Sequence, residues 1–353
     1  MKKTLLATAI AGAMCASAAQ AATVYNQDGT QVDLYGNIQL GYISEDTGSD
    51  SEDQIFDNGS TLGIAAEHQV NPGLIAYLKL EIDGFSADEM KTSQYDNGDT
   101  AYAGMKGNFG DVKLGSYDTL MDDWVKDPVD GSWYAGVNNS ATYLTGDNND
   151  REGDQLTYKS PSFGGLQFAV GTQYKGDAET DNRIEDDSSA SFFGGVKYTV
   201  GALDLALAYD NLGTYDGVIA DRDEDGNVVN VENDDFDAGE AYGLSAQYAM
   251  AAWTLSAKYE RFDGTDDTLA LTGVENADMY AVKANYAYGM GNIYGTYQYV
   301  DEDRGDDDES LNQVMLGADY SLTPAVTYFV ETTMYDQEDD EDDFVATGLA
   351  FTF

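Results

Sequence analysis

Carboxylates dominate the chemistry that this sequence offers. The chain has 353 residues, with 65 Asp and Glu against 17 Lys and Arg and a formal charge of −48. One stretch has the spacing of a metal loop. Asp221, Asp223, Asp225 and Asn227, with Gly226 between the last two and Glu232 five residues on, match the pattern Asp-x-Asp-x-Asp-Gly-x5-Glu. Alternate carboxylates on such a loop wrap a Ca2+ ion, the Gly permits the sharp turn, and the final Glu binds through both oxygens. In so acidic a loop the match also arises readily by chance, and its flanks alternate like strands, so no helical switch is expected. Catalytic chemistry finds little support. His68 is the only histidine. A Ser-His-Asp relay would have to use it, and no Gly-x-Ser-x-Gly elbow flanks a serine. A histidine-based metal centre lacks ligands. Carboxylate pairs abound at this composition and do not single out a glycosidase. No enzyme is expected, and no cofactor is required beyond the candidate Ca2+.

The charge balance excludes whole classes of partner. Phosphate backbones need clustered Lys and Arg, so nucleic acid is excluded, and an anionic lipid surface is an equally poor match. Disorder is excluded too, because 42% of residues are hydrophobic and 26 are Tyr.

The elements that must position these groups are strands. Residues 1–21 read as a signal peptide: Lys2 and Lys3, an apolar run from Leu5 to Ala18, then Ala19-Gln20-Ala21 as a cleavage site. Its removal takes away Cys15, the only cysteine, and two lysines, moving the formal charge from −48 to −50. Residues 22–353 then form one domain. No later run approaches the length of an apolar spanning helix. A period of two recurs instead. Leu34, Gly36, Ile38, Leu40 and Tyr42 share one face, and Asp33, Tyr35, Asn37 and Gln39 the other. Leu74–Ile82, Trp253–Glu260 and Asn292–Tyr299 repeat the arrangement. Connections alternate between seven tight turns, such as Gln69–Gly73 and Gly107–Gly110, and eight long acidic loops, such as 117–150 and 210–240. Fifteen connections imply sixteen strands. Even strand number with short turns at one end and long loops at the other is the pattern of an antiparallel transmembrane β-barrel. Tyr near the strand ends suits a girdle at each interface.

Four segments resemble the general, trimeric porins of Gram-negative outer membranes. Val32-Asp33-Leu34-Tyr35-Gly36 is similar to their first strand. Ala101–Gly115 resembles their A-Y-V-G-L-x-G-x-F-G-x-V-x-L-G segment, and Tyr158–Leu166 their Y-x-S-P-x-F-x-G turn. The terminal Phe353, with Phe351, Leu349, Thr347 and Val345 on one face, resembles the C-terminal signature of outer-membrane barrels. The resemblance implies a 16-stranded homotrimer with short periplasmic turns, long extracellular loops and a third loop folded into the pore.

That loop is the longest connection and carries Asp118, Asp122, Asp123, Asp127 and Asp130 against Lys126. By resemblance these acids form one side of a constriction that faces basic residues on the wall. The wall departs from the family. Ser60-Thr61 and Gly115-Ser116 stand where arginines are expected, and Arg151 is the one matched arginine. Lys79, Lys106 and Lys113 fall on the lumen face by parity and are the candidate substitutes. Asp33, Glu67, Glu81, Asp204, Glu260, Asp319 and Glu331 share that parity. A pore needs a polar lumen and a charge pattern rather than a catalyst, and an acidic excess favours cations. The expected function is therefore passive diffusion of ions and small hydrophilic solutes with a cation preference. The acidic runs at 301–310 and 336–343 read as a hydrated rim, adapted to salty surroundings or bridged by divalent ions to lipopolysaccharide. The alternative is a surface adhesin or receptor barrel whose loops bind Ca2+ and partners. The third loop discriminates: a channel needs it inside.

Overall fold

The computed structural model describes residues 21–46, 48, 50–82, 85–87, 91–92, 100–145, 154–174, 190–222, 228–305, 308–336 and 343–353. The expected signal peptide lies outside them except for Ala21.

In chain order the strands begin with β1 (Ala22–Gln27), β2 (Thr30–Asp46), β3 (Ser51–Asp57), β4 (Thr61–Asn71), β5 (Leu74–Ile82), β6 (Phe85–Ser86) and β7 (Lys91–Thr92). There follow β8 (Ala101–Gly107), β9 (Gly110–Ser116), β10 (Gln155–Lys159), β11 (Leu166–Gln173), β12 (Ser191–Val200), β13 (Leu203–Asn211), β14 (Thr214–Arg222) and β15 (Val228–Asp237). The last are β16 (Glu240–Met250), β17 (Trp253–Asp263), β18 (Asn276–Ala287), β19 (Asn292–Asp303), β20 (Asp308–Thr323), β21 (Val326–Tyr335) and β22 (Phe344–Thr352).

Sixteen strands form a closed antiparallel ring: β2, β4, β5, β8 to β13 and β16 to β22. Pairing of β22 with β2, from Asn37 opposite Thr352 to Glu45 opposite Phe344, closes it. Closure pairs every backbone rung and leaves no edge, which a hydrocarbon surrounding demands. β1 doubles back on the lower end of β2, directly beneath β22. Its turn, Asp28-Gly29, has φ of 51° and 76°, the left-handed pair that a two-residue hairpin needs. Gly36 and Phe353 exchange backbone hydrogen bonds of 3.0 and 2.9 Å, so the chain's last residue joins the ring where β1 ends.

Alternation sets the two faces. On β19, Ile293 and Tyr297 point outward and are exposed, while Tyr294, Thr296, Gln298 and Val300 point inward and are buried. The outer surface carries large apolar side chains around the ring, including Leu78, Leu114, Val170, Leu207, Leu255, Leu316 and Leu349. All seven tight turns read from sequence join ring neighbours at one end.

The long-loop end holds more structure than its composition suggested. β2 and β3 continue one hairpin up to Asp46 and Ser51, so the first loop is short. β19 and β20 likewise carry the acidic 301–310 run on paired strands, with Glu302 opposite Glu309 and Asp303 opposite Asp308. Opposed like charges destabilise a ladder. Arg304 offsets them, reaching Glu302 at 2.6 Å and Glu309 at 3.0 Å. β14 and β15 form a separate hairpin, and Asp266–Thr272 form a short helix. Thr265 caps its N-terminus by accepting from the Asp267 and Thr268 backbone N–H groups, and Gly273 ends it at φ 78°. These local signals are brief and were hidden among acids.

Candidate functional site

The third long connection leaves β9 at Tyr117 and turns into the barrel. Its described part runs to Thr145. Gly115, at φ 138°, precedes the turn, and a Cβ there would overlap the Ala101 carbonyl. Asp122–Lys126 form one π-helical turn. Leu120, Met121, Trp124 and Val125 bury against Ala206 and Ala208 of β13, Ala241 of β16, Phe262 of β17 and Met279 of β18. Alanines on the inner wall leave the room that the loop occupies.

Beyond this turn the loop runs extended, and wall side chains satisfy its backbone. The Glu331 carboxylate accepts from the N–H groups of Trp133 (2.9 Å), Tyr134 (3.2 Å) and Ala135 (2.8 Å), and from the Tyr294 hydroxyl. Trp133 stacks on Phe329 at 4.9 Å. The Gln298 amide accepts from Asn138 N–H at 2.8 Å and donates to Asn138 O at 2.9 Å. Glu260 accepts from Ser140 N–H at 2.7 Å. Lys258 donates to Asn138 O at 2.7 Å and pairs with Glu260 at 2.9 Å. Lys283 donates to Asp130 O. Buried backbone groups must be paired, and here the wall supplies the partners.

The loop's other side faces the remaining wall. Asp123 lies 3.7 Å from Lys159 of β10. Burial pushes the Asp123 carboxyl up, against the opposing pull of Lys159 and Lys113. Asp127 is open to the lumen yet enclosed by the wall. That enclosure, then the charges of Asp123, Asp118 and Asp130, push its carboxyl up to about 7. Lys126 sits 3.6 Å from Asp122 and 4.0 Å from Asp130. Asp122 differs from its sequence reading. It is buried, accepting from Asn139 Nδ2 at 3.0 Å and Thr119 Oγ1 at 3.1 Å, so it braces the turn. Glu260 and Glu331, read as lumen lining, instead hold the loop. Asp319 is also buried, accepting from Asn292 N–H at 3.1 Å.

Opposite the acids stand lysines. Lys79 (β5), Lys106 (β8) and Lys113 (β9) lie on the inner face as parity predicts. Lys79 pairs with Glu81 at 2.7 Å and Lys106 with Glu67 at 2.5 Å. The Lys113 ammonium lies 3.6 Å from the centre of the Tyr117 ring and 4.7 Å from that of Tyr102. Lys159 and Lys197 complete the row, and both line a second recess with Asp123 and Asp127. Sequence reasoning missed these two. Parity would have found them, since Tyr158, Val196 and Tyr198 beside them are outward residues. Nothing in sequence marked Lys258, Gln298 and Glu331 as loop holders. Arg151 lies outside the described residues.

Of the metal-like residues, Asp223, Asp225 and Asn227 lie outside the described residues. Asp221 and Glu232 fall on β14 and β15, where Asp221 pairs with Val229 and Glu232 with Val218. Among the described residues no group of three or more His, Cys, Asp or Glu is arranged to hold a metal ion.

A closed barrel of sixteen strands, apolar outside and crossed by an inward loop, defines an outer-membrane pore protein. The Gram-negative porin family matches residues 7–340, and the chain belongs to it. It is therefore an outer-membrane channel for solute diffusion and not an enzyme. The chain is 47% identical, over the whole of both chains, to a monosaccharide porin of a Halomonas species and to the major outer membrane protein of Halomonas elongata. Among solved structures it is similar to Salmonella typhi OmpF in complex with daunomycin, at TM-score 0.72 and 19% identity, covering 94% of this chain and all of that one. It is also similar to an anion-selective porin of Comamonas acidovorans, at TM-score 0.71 and 18% identity, covering 92% and 100%.

Proposed function

We propose that the pore passes small hydrophilic solutes, monosaccharides among them, with a preference for cations, and that the chain works as a homotrimer. The observation that carries the reading is the loop strapped across the lumen by Lys258, Glu260, Gln298 and Glu331, with Asp118, Asp123 and Asp127 left toward a row of wall lysines. The constriction therefore carries both signs in near balance. The cation preference comes mainly from the acidic excess in the long connections at the mouth. The 47% identical Halomonas protein named a monosaccharide porin supports the solute class. OmpT of Vibrio cholerae, a solved relative in trimer form, supports the assembly.

A rim potential is screened by salt, with a Debye length of about 10 Å at 0.1 M and about 3 Å at 1 M. Reversal potentials in KCl gradients test the reading. Cations are preferred at 0.1 M, and the preference shrinks toward 1 M. An anion preference at low salt would overturn it. A preference equal at both salts would move its source from the rim to the constriction.

A further inference from the structure

We infer that the lysine-bearing wall holds a subsite for a neutral monosaccharide, built around Tyr77, Tyr102 and Lys106. The inference deepens the proposed diffusion function and rests on it. The rings are laid onto the wall by glycines on the next strand. Tyr77 lies over Gly104, and Tyr35 over Gly63; a Cβ at either glycine would overlap the ring. Tyr77 meets Tyr102 edge to face at 6.1 Å, and Tyr102 meets Tyr117 edge to face at 5.7 Å. Ammonium groups stand among them, Lys79 at 5.8 Å from the Tyr35 ring centre and Lys106 at 5.2 Å from that of Tyr77. Tyr77, Tyr102, Lys79 and Lys106, together with Glu67 and Lys113, line a recess of about 280 Å3, near the lower bound of small-ligand sites.

The chemistry selects the ligand. A pyranose has flat C–H faces that pack on aromatic rings, and vicinal hydroxyls that need donors and acceptors side by side. The Lys106–Glu67 pair, at 2.5 Å, supplies both, and Lys79 and Asp111 line the same recess. A free anion would meet Glu67 and Asp111, the latter already accepting from the Tyr77 hydroxyl. A bare cation would meet the lysines. A neutral polyhydroxylated ring satisfies both signs without adding charge.

Uptake into proteoliposomes tests the subsite, with D-glucose, open-chain sorbitol and gluconate as solutes. Wild-type protein is compared with Tyr77→Leu, Tyr77→Phe and Lys106→Gln, each checked for folding by gel mobility with and without heating. Wild-type glucose uptake saturates in the millimolar range while sorbitol uptake rises linearly. Tyr77→Leu raises the half-saturating glucose concentration about fivefold, the loss of one ring contact. Tyr77→Phe keeps the ring and the saturation, and Lys106→Gln weakens it. Linear glucose uptake in wild type, or saturation unchanged in both Tyr77→Leu and Lys106→Gln, overturns the subsite and leaves the diffusion reading standing. Saturation by gluconate and not by glucose overturns the neutral-sugar assignment. No entry of any solute removes the diffusion reading itself.

Discussion

Two halves of the lumen are built on the same alternating strands and used in opposite ways. On β13 and β16 to β21 the inward residues include Ala206, Ala208, Ala241, Met279, Gln298 and Glu331, which are buried against the third loop. On β4 to β12 they include Glu67, Tyr77, Lys79, Lys106, Lys159 and Lys197, which line open recesses. One half is a protein core, with small side chains making room and buried charges holding a backbone. The other is a polar wall. The difference teaches that inward parity in a wide barrel does not mean contact with water; the loop decides which inward charges a solute meets.

The strongest way to break the contrast is to strand a charge in the covered half. Lys258 and Glu260 have fully buried side chains. Lys258→Met leaves the buried Glu260 carboxylate without its counter-charge, with only the Ser140 N–H still donating to it, and costs about 3–5 kcal/mol. Thermal unfolding of the purified protein reads the loss, and single-channel records show a larger, noisier conductance as the loop loosens. An unchanged melting profile would mean that the loop does not depend on this pair. A medium effect comes from the open half. Gly104→Val drives a side chain into the Tyr77 ring, costs about 1–3 kcal/mol through overpacking and pushes the ring toward the lumen. Its signature is a lower single-channel conductance at wild-type assembly.

The smallest effect sharpens the line where the halves meet. The Asp127 carboxyl is raised to about 7, so it is neutral at pH 5 and charged at pH 8.5. Raising the pH through this range adds one negative charge at the constriction and increases cation preference. At about 8 Å in water one charge is worth about 0.5 kcal/mol, roughly a twofold change in the permeability ratio. Reversal potentials across the range show the rise, and Asp127→Asn flattens it. A wild-type profile without slope would remove Asp127 from the ion path.

The pattern of strands was legible because a barrel writes itself as local alternation. Leu74–Ile82 and Asn292–Tyr299 declare an outer face by parity alone. The tight turns are equally local, as Gln69–Gly73 and Gly107–Gly110 show. The helix Asp266–Thr272 and the tall hairpin of β19 and β20 were not legible, since acids masked a short capping box and a polar strand extension. The site was half legible. Lys79, Lys106 and Lys113 followed from parity, and the same rule applied to Tyr158 would have delivered Lys159. Glu260 and Glu331 were read as lumen charges because their parity and type are those of lumen charges, and Asp122 as a constriction acid because it lies on the third loop.

By itself the sequence determined the sixteen-strand barrel, its outward apolar face and the acidic excess at the long-loop end. Each depends on residue type and spacing within a strand or a turn. Only the tertiary structure decided which inward charges hold the loop and which face the solute. Glu331 meets Trp133 across 198 positions of chain, Gln298 meets Asn138 across 160, and Ser140 meets Glu260 across 120. No local period encodes such pairings, because they exist only once the barrel has closed and the loop has filled one side of it.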